Sequence, residues 1–145
     1  MYHVYREFQL NSILSLIGSS KERIQLDGYL VNVTSLRLLT LKRSQVCCKC
    51  GREGHVFRLE SSRKTDPYPH LNMYHITSDN RLILMTKDHI IPKSLGGPDT
   101  LANTQTMCTE CNREKDTKID LENISNSDMW YYFFKRISSN VVFKR

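Results

Sequence analysis

Apolar residues recur along this chain mostly at the two-residue spacing of strands, with looser helical spacing at the two ends. Residues 22–33 hold short alternating runs around Asp27-Gly28, which predicts a β-hairpin. The segment 55–60 alternates enough for a strand, and 61–70, with Arg63, Lys64, Pro67 and Pro69, reads as a loop. Residues 73–77 and 81–86 flank the turn-forming cluster Ser78-Asp79-Asn80, so a second hairpin is predicted, its second strand delivering Asp88-His89. A loop over 92–103 containing Gly96-Gly97-Pro98 leads to a short strand over 104–107. A helix from about 110 to 118 follows.

The remaining segments are less regular. Tyr2, Tyr5, Phe8, Ile13, Leu14, Leu16 and Ile17 are loosely helical and end at Gly18-Ser19-Ser20, a stop signal. A helix packed on its own domain is the simpler reading, a docking or dimerisation helix the alternative. Ser35 can cap a helix over 36–43. The pairs Leu36/Leu39 and Leu38/Leu41 fall on different sides of that helix, so a buried strand over 36–41 stays open. A last helix is predicted over 128–137, capped by Ser127 or Asp128. Its aromatic run from Trp130 to Phe134 covers more than one face, which favours packing over base stacking. The predicted class is α+β, in three parts. Residues 1–40 form a helix-and-hairpin extension, 41–120 the central domain, and 121–145 a helical tail, so that helices flank both termini.

Composition narrows the partners. A hydrophobic content of 39% builds only a modest core in 145 residues, so a structural metal would help. The net charge of +6 favours an acidic partner, and nucleic acid is the commonest for a small basic protein. No apolar run approaches the ~18 residues of a membrane span, and the first 20 residues lack a signal-peptide pattern. We therefore expect a soluble, intracellular protein with no membrane partner.

Two constellations carry the chemistry. Four of the five cysteines form C-x-x-C pairs, Cys47/Cys50 and Cys108/Cys111, a pattern of metal ligation in a reducing compartment rather than a disulfide framework. Four thiolates suit a closed, tetrahedral structural zinc site. The separation of Cys50 from Cys108 exceeds common ribbon spacing, so the intervening strands must bring the pairs together. Cys48 competes for the place of Cys47, but at a poorer spacing. The second constellation is Asp88, His89, Asn103 and Asn112. Asp88 is a hard oxygen ligand for Mg²⁺ or Mn²⁺. His89, its neighbour on a strand end, points to the opposite side and can serve as general base toward a water. Asn112 can offer a second ligand oxygen at a helix start, and Asn103 can pin the long loop so that His89 stays oriented. His55, His70 and His75 sit at no knuckle spacing and read as packed or exposed strand residues. Lys93, Arg113, Lys115 and Lys118 lie in or beside this stretch as candidate phosphate contacts.

The segment 84–118, with Asp88-His89-Ile90, Pro92, Gly96-Gly97, Asn103, Cys108-x-x-Cys111-Asn112 and Lys115, resembles the HNH endonuclease motif of the ββα-metal nuclease fold. It is similar to small phage-encoded HNH proteins in particular, and Cys47/Cys50-Gly51 fits the upstream C-x-x-C of many members. The resemblance runs from Cys47 to Lys118. It implies a zinc-stapled ββα-metal core with His89 as general base, Asp88 and Asn112 as ligands of a catalytic Mg²⁺ or Mn²⁺, and Asn103 as the loop-supporting middle residue. The implied activity is one-metal DNA cleavage or nicking leaving 5′-phosphate and 3′-hydroxyl ends. The alternative is a zinc-containing nucleic-acid-binding module without catalysis. A homodimer or protein partner docking through the terminal helices is a further expectation.

Overall fold

The computed structural model describes residues 2–117 as a mixed α/β fold built on one antiparallel sheet. Its strands are β1 (His3–Gln9), β4 (Val56–Ser61), β5 (His70–Ile76), β6 (Leu82–His89) and β7 (Thr104–Cys108), in that spatial order. A separate hairpin pairs β2 (Arg23–Leu26) with β3 (Tyr29–Asn32). Among the described residues there are also three short α-helices: α1 (Leu10–Leu14), α2 (Leu36–Arg43) and α3 (Thr109–Lys115). Among the described residues, no helix is long and apolar enough to cross a membrane.

Both hairpins form where their turn chemistry predicts. Asp27 and Gly28 carry φ of 52° and 83°, the left-handed pair that a two-residue hairpin loop requires. The β5–β6 turn closes at Asn80, also left-handed, with the Thr77 hydroxyl accepting from the Arg81 amide at 2.9 Å. Between residues 36 and 43 the helix prevails over the strand alternative. The Ser35 hydroxyl accepts from the Leu38 amide at 3.2 Å, while Leu38 and Leu41 are buried on one side.

The N-terminus departs from the helix expected over 1–20. Residues His3–Gln9 are a strand on β4, and only Leu10–Leu14 are helical. The cause is a bulge: the register steps from Val4↔Glu60 to Arg6↔Leu59, leaving Tyr5 as the extra residue. That insertion puts Tyr5 and Phe8, three apart, against the core, which imitates helical spacing in the sequence. Helices therefore do not flank the described fold as expected at the N-terminus. The helix expected over 128–137 lies outside the described residues.

One face of the sheet carries the main core. Phe57, Leu59, Leu71, Met73 and Met85 meet Ile13 and Ile17, Val31 of the hairpin and Val33 just after it, and Leu38 and Leu41 of α2. Strand alternation then separates two helices at the β6–β7 end. Thr104 and Thr106 bond to Thr40 of α2, whereas Thr86 and Asp88, on the other face, bond to Asn112 and Lys115 of α3. The pair β6–β7 is thus clamped between α2 and α3. Further along, the Leu71 carbonyl accepts from the Arg37 guanidinium at 2.6 Å, and the Asn72 side chain joins Arg37 to buried Glu60. Burial pulls Arg37 below its ordinary pKa.

Candidate metal centre and active site

The turn that follows α2 is held as a knuckle. The Cys47 amide donates to the Arg52 carbonyl at 2.8 Å, the Gly51 amide donates to the Cys47 carbonyl at 3.0 Å, and Val46 bridges Glu53. The Cys48 amide donates to the Thr106 carbonyl at 3.0 Å, which docks the knuckle on the outer edge of β7. Cys108 ends β7, and Cys111 lies in the first turn of α3. The Sγ atoms of Cys47, Cys50, Cys108 and Cys111 all lie within 4.8 Å of one another. The Cys50–Cys108 separation is 3.8 Å, the edge expected of a sulfur tetrahedron with zinc–sulfur bonds of about 2.3 Å. The four cysteines fit a zinc site; Cys48 is exposed and outside the cluster.

The thiols differ in proton affinity. Burial raises that of Cys47, but hydrogen bonds from the backbone of Cys50, Cys108 and Lys49 outweigh it and bring the pKa to about 7. Burial pushes Cys50 and Cys111 up. Zinc must displace protons from those two, so its affinity falls with pH. Arg52 donates toward Cys108 Sγ at 3.6 Å and pairs with Glu110 at 2.6 Å, a cation beside a cluster that gains negative charge on metallation.

The second centre forms at the end of β6. Asp88, His89 and Asn112 line one open cleft of about 360 Å³, together with Lys87, Lys93 and Asp116. Asp88 is buried and its Oδ2 accepts from Lys115 Nζ at 2.7 Å and Gln105 Nε2 at 2.9 Å. Lys115 also donates to the His89 carbonyl. Thr86 fixes which way the Asn112 amide points. The Thr86 hydroxyl donates to the Met107 carbonyl at 2.7 Å, so it can only accept from Asn112 Nδ2 at 3.0 Å. The Asn112 oxygen is thereby left as an acceptor. Asp88 and Asn112 together offer hard oxygens, a donor set that suits Mg²⁺ or Mn²⁺ completed by water.

Asn103, fully buried, braces the loop between β6 and β7. Its Oδ1 accepts from the Ile91 amide at 3.0 Å, while Nδ2 donates to the Ile91 carbonyl at 3.0 Å and the Pro98 carbonyl at 2.9 Å. The loop is closed so tightly that a Cβ on Gly97 would sit 1.8 Å from the Ile91 oxygen.

Of the candidate phosphate contacts, Lys93 and Arg113 are exposed, on the cleft rim and on α3 respectively. Lys115 faces inward to Asp88, and Lys118 lies outside the described residues. Sequence reading passed over Asp99, whose Oδ1 lies 2.8 Å from His89 Nε2 and 3.4 Å from Lys87 Nζ, with Lys93 3.5 Å from Oδ2. The His89 ring, ahead of Lys87 and Lys93, holds that carboxyl down at about 2. Its only signal in the sequence is an acid just after Gly96-Gly97, in the loop that returns past His89.

Residues 77–127, about a third of the chain, match the model of the HNH endonuclease family. The match spans β6, β7 and α3 and points to a nuclease-type function acting on nucleic acid. No curated protein and no solved structure matches the chain.

Two outcomes follow from this geometry. Purified protein is expected to carry one zinc per chain by metal analysis, released on acidification, and Cys108→Ser to lose zinc and solubility together. A folded, metal-free Cys108→Ser protein would remove the staple. Asn103→Ala strands one amide and two carbonyls of the loop and should cost about 3 kcal/mol in a denaturant melt. A loss below about 1 kcal/mol would show that water replaces the brace.

Proposed function

We propose that this protein is a metal-dependent HNH DNA endonuclease that hydrolyses phosphodiester bonds with one hard cation and His89 as general base. The observation that carries the reading is the convergence of Asp88, His89 and Asn112 on one cleft, with Lys87 and Lys93 beside them. In this reading β6, β7 and α3 are the ββα-metal core. Residues 41–120 are the nuclease unit, and 1–40 an extension whose β1 completes the sheet.

The chemistry follows from the donor atoms. Nε2 of His89 is engaged by Asp99, and Nδ1 makes no hydrogen bond among the described residues. A neutral imidazole in that state takes a proton from water at Nδ1 as the water oxygen attacks phosphorus. Asp88 and Asn112 would hold a Mg²⁺ or Mn²⁺ ion, which when bound would supply charge neutralisation at the phosphate and the leaving O3′. Lys93 and Arg113 attract the phosphate backbone, and the net charge of +6 aids encounter. Cleavage then leaves a 5′-phosphate and a 3′-hydroxyl. One such site cuts one strand per binding event, so a double-strand break calls for a second copy or a second encounter.

Supercoiled plasmid incubated with Mg²⁺, Mn²⁺ or EDTA tests the reading. Nicked product is expected with either metal and none with EDTA. His89→Ala should slow cleavage by about 10²- to 10⁴-fold with zinc content unchanged. Tight DNA binding without any metal-dependent cleavage would instead favour a non-catalytic zinc-containing binding module. Undiminished turnover in His89→Ala would remove His89 as the base.

A further inference from the structure

The carboxylate of Asp99, which reaches His89 beside the cleft, is used by neither the motif nor the metal chemistry. It meets His89 on the ring nitrogen remote from the proposed chemistry, with Oδ1 2.8 Å from Nε2. A carboxylate ionised above about pH 2 can only accept, so Nε2 must carry the proton. The lone pair of the neutral ring is then confined to Nδ1. A histidine without such a partner exchanges between both tautomers and turns about its χ2 axis, and only a fraction of those states presents a base.

Asp99 is itself held in place. Its neighbour Pro98 gives its carbonyl to Asn103 Nδ2 at 2.9 Å, and Lys87 and Lys93 approach its two oxygens at 3.4 and 3.5 Å. The buried Asn103 thus reaches His89 through the loop and Asp99, while Lys115 fixes the His89 carbonyl from the other side. The carboxylate side chain is 52% exposed, so solvent screens its charge and its leverage is geometric.

We propose that Asp99 is a positioning residue, fixing His89 in the Nε2-protonated tautomer so that Nδ1 is the basic atom of the cleft. The catalytic consequence rests on the endonuclease reading above, whereas the tautomer itself does not. An opposing role has a distinct signature. A carboxylate bracketed by Lys87 and Lys93 also resembles a bound phosphate, and a mere placeholder of that kind would inhibit, so its removal would speed cleavage.

The experiment pairs spectroscopy with kinetics on the full-length, zinc-loaded protein. Histidine is ¹⁵N-labelled, and the His89 ring is assigned by its loss in His89→Gln. Long-range ¹H–¹⁵N correlation is then recorded about two units above the ordinary histidine pKa. The wild type should show His89 Nδ1 as the bare, pyridine-like nitrogen and Nε2 as the protonated one. Asp99→Ala should show averaged shifts, and Asp99→Asn, whose amide oxygen still accepts, should restore the wild-type pattern. In plasmid nicking, Asp99→Ala should lower kcat by about 10- to 100-fold with KM changed less than about 2-fold, and Asp99→Asn should recover most of it. An unchanged His89 tautomer in Asp99→Ala overturns the proposal, as does equal or faster cleavage. If the wild type cuts nothing, the endonuclease reading fails, and the ring spectra still decide what Asp99 does.

Discussion

Four sulfur atoms gathered at one point tie together the elements that form the candidate cleft. Two belong to the knuckle after α2 and two to the junction of β7 and α3, and the chain from one pair to the other forms four strands of the sheet, β4 to β7. A modest core does not by itself fix a short helix such as α3, which spans only seven residues. Its first turn carries Cys111, and the next residue is Asn112, whose amide is oriented by Thr86 on β6. Loss of the sulfur cluster would free that helix start and with it the second oxygen donor of the cleft.

The cleft is braced from two further directions. From α3, Lys115 places a buried ammonium on Asp88 and on the His89 carbonyl. Such a pair is costly to desolvate and severe to break, so it fixes the end of β6 more than it adds net stability. From the loop, Asn103 satisfies both polar groups of Ile91 and the carbonyl of Pro98, and it makes the approach at Gly97 too close for any side chain. The result is a rigid strand end carrying acid and histidine, with the supporting contacts largely buried and the cleft open to a polymer.

Much of this was legible in the sequence wherever the signal is local. Asp27-Gly28 and Ser78-Asp79-Asn80 specify turns by backbone conformation alone, and Ser35 announces its helix by its cap. The paired C-x-x-C spacing indicated the thiol cluster because ligand number and geometry are fixed by the metal. Other features depend on partners far along the chain. A bulge at Tyr5 shifts a strand out of its two-residue period, and that shift is visible only against β4. The inward turn of Lys115 depends on how α3 lies on β6, so a basic residue after a knuckle looks like any phosphate contact until that packing is known. Asp99 belongs to a loop whose path is set by Asn103, and nothing in its spacing from His89 announces a 2.8 Å contact.

The dependence of the cleft on the sulfur cluster is the central physical claim, and it is open to one direct measurement. Zinc is stripped from the wild-type protein with a chelator, the chelator is removed, and plasmid nicking is followed in excess Mg²⁺ before and after one equivalent of zinc is returned. Cleavage is predicted to vanish with the zinc and to reappear with it, although every residue of the cleft is intact. Full Mg²⁺-dependent cleavage by the zinc-free protein would contradict the account.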